Sequence, residues 1–114
     1  VEINVSLFLI KCFPVPRPKN NDKLRQRVVK LAGRLACVDD RFADWAKEVG
    51  VEYGSLLSKE KKDMTHELDA VVAHLYGLSE DQLAHIFETF HVGWDYQDRL
   101  DATIEHFNQW SQKL

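Results

Sequence analysis

Lys23, Arg27, Lys30 and Arg34 recur at steps of four, three and four residues. That spacing sets four cations in one line along a helix. Each can reach a DNA phosphate, and such contacts supply most of the affinity for duplex DNA. A solvated face whose long stems cover the edge of a core has the same spacing, so both readings stay open. The remaining polar residues form no recognisable reactive set. His66-Glu67 begins an HExxH zinc signature, but the second histidine would fall at Ala70. His66 and His74 lie two helical turns apart, too far to chelate one ion unaided. His74, His85, His91 and His106 have no ligand spacing, so satisfied or exposed imidazoles are expected and no metal site. Of the carboxylate pairs, Glu67 and Asp69 diverge on a helix, and Asp98 with Asp101 reads as a solvated terminal pair. No GxSxG, phosphate-binding loop or GxGxxG occurs, and the five glycines are isolated. The sequence therefore assigns no catalytic residue.

The elements that position these residues are mostly helices. Met64, Leu68, Val71, Val72 and Leu75 mark one face of a helix. Gly77 suits the left-handed residue that closes it. Ser79, with Gln82 three residues on, makes a capping box for the next helix, helped by Glu80 and Asp81. Leu83, Ile86, Phe87 and Phe90 continue the apolar stripe, predicting a central αα-hairpin. Upstream, Asn20, Asn21 or Asp22 can cap a helix running to about Val38, with Leu24, Val28, Leu31 and Leu35 as its buried stripe. Asp39 or Asp40 opens a short helix ended by Gly50, in which Trp45, with Tyr53 beyond it, reads as core and hinge packing. Ser58 reads as the cap of the long helix. Asp95 reads as the cap of a last helix carrying Tyr96, Leu100, Thr103, Ile104, Phe107 and Trp110 on its apolar face.

The first 19 residues differ. Val1, Ile3, Val5, Leu7 and Leu9 alternate with polar residues before Phe8 and Ile10 turn both sides apolar, which predicts one strand over 1–11. A lone strand leaves its ladder hydrogen bonds unmade, so it must pair outside this chain or with a second copy, giving a dimer. Pro14, Pro16 and Pro18 make a stiff spacer. The expected fold is mainly α, with four to five helices around the hairpin; residues 1–19 are the extended strand and spacer and 20–114 the helical domain.

A chain of 114 residues, 45% hydrophobic and 29% charged, fits one domain with one core. No apolar run is long enough to span a membrane and no leader pattern is evident. Cys12 and Cys37 lie far apart without CxxC spacing, the pattern of two buried thiols in a bacterial cytoplasmic protein rather than of a disulfide. The net charge of −3 conceals a basic front, up to Cys37, on an acidic body. Such a division suits an interacting piece, or two ends that neutralise each other across the fold.

The run ELDAVVAHLYGLSEDQLAHIFETF resembles the C-terminal helical element of type IIG-like restriction–modification proteins, fused N6-adenine DNA methyltransferases with an ELDA…A.LYGL…D.L..I..TF pattern. FLIKCFPVPRP is similar to the segment that ends their target-recognition region. The pieces together cover about half of the chain. The resemblance makes Leu68, Asp69, Leu75, Tyr76, Gly77, Leu78, Ser79 and Gln82 a structural motif, with Asp69 expected to fix a helix end or loop through a hydrogen bond. It implies a parent that uses S-adenosylmethionine through an FxGxG-like turn and an Asn-Pro-Pro-Tyr segment, neither of which occurs here. Val1 in place of Met agrees with a piece of something longer. The expected function is thus a non-catalytic C-terminal domain that supports target recognition, has the remainder of the methyltransferase as partner, and lends DNA phosphate contacts. A stand-alone helical module for protein interaction or dimerisation is the alternative.

Overall fold

Helices form wherever the three-and-four-residue apolar spacing runs. The computed structural model describes residues 7–114, and the helices are α1 (Leu7–Lys11), α2 (Lys23–Ala36), α3 (Ala43–Val49), α4 (Ser58–Leu75), α5 (Glu80–Phe90) and α6 (Gln97–Ser111), with a 3₁₀ turn at Asp40–Phe42. Among the described residues no strand occurs, and the fold is mainly α.

Helix α4 is the axis. One side meets α2 and α6 through Leu24, Leu31, Val71 and Trp110, flanked by Val28, Met64, Leu68 and Leu75. The other meets α5 and α6 through Ala70, Ala73, Leu83, Phe87, Leu100 and Phe107. Ala70 and Ala73 are small enough to let the aromatic rings of α5 and α6 close onto the α4 backbone. Thr103, fully buried in α6, satisfies its hydroxyl by donating to the Arg99 carbonyl at 2.8 Å, a bond within its own helix. On the outside of α2, Gly33 brings α3 close: a Cβ there would lie 3.2 Å from Val49 Cγ2 and 3.4 Å from Val51 Cγ1.

The expected helix–stop–helix stands at residues 75–82. Gly77 takes φ +69°, with the Gly77 N–H on the His74 carbonyl and the Leu78 N–H on the Ala73 carbonyl, both at 3.0 Å. This pair of bonds satisfies carbonyls that the end of α4 would otherwise leave open. Ser79 and Gln82 form the reciprocal box: the Gln82 N–H donates to Ser79 Oγ at 3.2 Å, and Gln82 Oε1 accepts from the Ser79 N–H at 2.9 Å. The hairpin is not the centre, however. The seams that run along α4 belong to α2 and α6, and α5 joins by Leu83 and Phe87. A Cβ at residue 77 would meet nothing within 4 Å, so Gly77→Ala isolates the cost of the left-handed backbone. Urea unfolding should show a loss of about 1 kcal/mol, less for Gly77→Asn.

Several local expectations are corrected. Leu7–Lys11 is a helical turn and not the end of a strand, while residues 1–6 lie outside the described residues. No strand occurs among the described residues, so an extended Leu7–Lys11 would have no ladder to join there. Residues 14–19 carry no regular secondary structure. Asp22 is the cap of α2, accepting from the Arg25 N–H at 3.1 Å. Ser58 is the first residue of α4, with Leu57 at the cap position, and Tyr96 rather than Asp95 precedes α6. Cys37 is buried but Cys12 is exposed, and both are free thiols. Trp45 and Tyr53 are exposed: α3 is only two turns long and spends its inward face on Ala46 and Val49.

Candidate functional site

The cationic stripe is where the sequence places its strongest chemistry, and the fold engages three of its four side chains in bonds to the chain itself. Arg27 donates twice to Glu67 of α4, from Nε to Oε1 and from one terminal nitrogen to Oε2, both at 2.7 Å. The same Oε1 accepts from Trp110 Nε1 of α6 at 3.1 Å. One carboxylate thus joins α2, α4 and α6 at the edge of the core cluster that these three helices share. The Glu67 side chain is 12% exposed and Arg27 41%. Hydrogen bonds from Arg27 hold the Glu67 carboxyl below its ordinary range; burial works in the opposite direction, and Trp110 adds to the lowering. Arg27 is in turn held more firmly protonated by Glu67.

Lys30 and Arg34 turn the other way along α2. Lys30 Nζ donates to the Gly50 carbonyl at 2.6 Å, tethering the end of α3. Arg34 donates to the carbonyls of Gly54 at 2.9 Å and Cys37 at 3.3 Å, pinning the loop that leads to α4. Lys23 is exposed, with no bond to another described residue. Of four aligned cations, then, three brace the fold.

In a DNA titration repeated at several salt concentrations, replacing Lys23 by Ala should reduce the log–log slope by about 0.9 if it touches a phosphate. Replacing Arg27 and Arg34 should lower stability while leaving the slope unchanged. A slope that flattens in steps with Arg27 and Arg34 would mean that both leave these bonds to contact phosphates.

The motif residues divide in the same way. Leu68 and Leu75 flank one core cluster, Leu78 flanks the other, and Gly77, Ser79 and Gln82 make the turn. Tyr76 is half exposed. Asp69 is exposed, and no described residue hydrogen-bonds to its side chain. It lines an open groove of about 620 Å³ with Lys61, Lys62, His66, His91 and Asp98. The groove walls raise the Asp69 pKa by desolvation, and the nearby His66 and His91 oppose the rise. Cations and acids alternate round this groove without a nucleophile–base pair. Among the described residues no three side chains can hold a metal.

Three of the five histidines have close side-chain partners, while His66 lines the groove and His85 is exposed. His74 stacks on Phe107 at 3.9 Å between ring centres, with Nε2 2.8 Å from the Phe107 carbonyl oxygen. His91 sets Nδ1 2.9 Å from the Phe87 carbonyl oxygen, and His106 faces Asp63 at 2.8 Å.

What the sequence reasoning missed is apolar. Phe90, Val92 and Trp94 stand 78%, 77% and 70% exposed at the corner between α5 and α6, with Ile86 half exposed beside them on α5. The signal was present, since three large apolar residues in five positions around Gly93 cannot all face inward from a loop. Leu7, Phe8, Ile10, Phe13 and Val15 are likewise exposed.

No described helix is long and apolar enough to cross a membrane. Compared with protein-family models, curated proteins and solved structures, the chain matches none.

Proposed function

We propose that this chain is a non-catalytic helical domain from the C-terminal region of a type IIG-like adenine-specific DNA methyltransferase, working in the cytoplasm on the same polypeptide as the catalytic part. The observation that carries the reading is the role of Glu67, which opens the ELDA run. It joins three helices by Arg27 and Trp110, and the leucines, glycine and capping pair that follow complete the same frame. Thus the residues that carry the family resemblance act as a signature of fold, as a supporting domain requires. In this reading the parent supplies the S-adenosylmethionine site, this chain supports the recognition region, and Lys23 leads any phosphate contact.

The test is capture from the source cell with an antibody to this chain, followed by photo-crosslinking with labelled S-adenosylmethionine. The captured polypeptide should take up label that the isolated 114-residue chain does not. Capture of a polypeptide that takes none would overturn the assignment. The second reading, a stand-alone protein-interaction or dimerisation module, draws on the exposed apolar side chains of residues 7–15 and 90–94.

A further inference from the structure

Helix α2 runs against the usual placement of charge. Lys23 and Arg25 stand in its first turn with no acid there, and Lys23–Ala36 as a whole holds five cations and no carboxylate. The amino end of a helix is its positive end, so cations there cost stability that a bound anion would offset. Asp22 supplies one carboxylate at the cap, where it accepts from the Arg25 N–H. Beside this turn lies a groove of about 410 Å³ between α2 and the end of α6. Lys23, Gln26, Arg27 and Lys30 line it from α2, Trp110 and Lys113 line it from the other side, and no carboxylate is in its lining. Glu67 already pairs with Arg27. No described carboxylate pairs with the other three cations. Lys30 bonds a neutral carbonyl, that of Gly50, and Lys23 is exposed and bonded to no described residue. Lys113 Nζ lies 4.6 Å from the centre of the Trp110 ring, a contact that steadies the ammonium and leaves N–H donors free.

We infer that this groove seats the phosphate backbone of duplex DNA, with Lys23 and Lys113 as the two direct phosphate contacts. Three uncompensated positive charges around one groove attract a polyanion. An open groove suits a polymer better than a single small anion: a lone phosphate stays largely in water there, whereas a duplex releases a condensed counterion for each phosphate neutralised. Lys113 is the new element, since it lies beyond α6 and no spacing along α2 points to it. The choice of DNA rests on the proposed function, while the groove itself stands on its lining.

Fluorescence anisotropy of a labelled duplex, titrated with the full chain at several salt concentrations, tests it. Log affinity should fall with log salt at a slope of about −1.8 or steeper, as two phosphate contacts require. Lys113→Gln and Lys23→Gln should each reduce the magnitude of the slope by about 0.9, and the two together by about 1.8. Both side chains are exposed, so circular dichroism should not change. Lys47→Gln removes the same charge from an exposed position on α3 and should leave the slope as it is. A full chain that does not bind the duplex, or a slope indifferent to Lys113→Gln, would overturn the proposal. So would equal affinity for polyglutamate of matching charge, the result expected if the groove takes an acidic protein partner. The methyltransferase assignment fails separately: a native polypeptide that takes no S-adenosylmethionine label, with the Lys113→Gln loss intact, would remove the methyltransferase parent and sustain the groove.

Discussion

Replacing Glu67 by Ala should lower the unfolding free energy by about 2–3 kcal/mol near neutral pH. The substitution leaves Arg27 without its two bonds and Trp110 Nε1 without an acceptor, at the junction of α2, α4 and α6. The loss stays below that of a fully buried pair because Arg27 reaches solvent and recovers part of its hydration. The effect should depend on pH in one direction. The folded-state pKa of Glu67 is held below its ordinary value of 4.5, so its stabilising contribution is complete above that value and disappears as pH falls through the folded pKa. Urea titrations over a pH series should therefore show the parent chain and Glu67→Ala converging in acid. Glu67→Gln should share the flattened acid response. A stability difference that stays constant down to strong acid would mean that the carboxylate charge contributes nothing at this junction.

Leu31→Ala should cost about 3 kcal/mol. Leu31 is 1% exposed and packs in the same three-helix cluster with Leu24, Val71 and Trp110. Truncation removes apolar contacts and leaves a cavity that three helices tied by Glu67 cannot close by sliding together. Val29, two residues earlier but 40% exposed, is the internal control: Val29→Ala should change stability by no more than about 0.5 kcal/mol. Similar losses for the two would show that α2 does not present Leu31 to α4 and α6.

Local signals in the sequence explain the elements better than their partners. Apolar spacing marks α2, α4 and α6 because each buries a continuous stripe, and Gly77 with Ser79–Gln82 fixes the turn because caps are completed within a few residues. The α5 stripe is only half right: Leu83 and Phe87 are buried while Ile86 and Phe90 are exposed, since only one side of α5 meets the α4–α6 layer. Alternation over residues 1–11 is strand-like by pattern alone, but the Leu7–Lys11 part has no described strand to pair with and is helical. The cationic stripe is legible as spacing and illegible as role. Whether Arg27 faces solvent or Glu67, 40 residues away, depends on how α2 and α4 are brought together. The same holds for Lys30, whose acceptor is a carbonyl at the end of α3.

Three of the four aligned cations serve as braces, and large apolar side chains at residues 90, 92 and 94 stay uncovered. Lys23 and the exposed apolar corner are then the places where sequence changes should alter partners rather than folding.

The size of the native polypeptide tests the central claim most directly. An immunoblot of the source cell with an antibody to this chain should give a band many times larger than 13.2 kDa, because the proposed function puts this domain on one polypeptide with a methyltransferase. A single band at the size of the chain itself would contradict the account and leave a freestanding interaction module in its place.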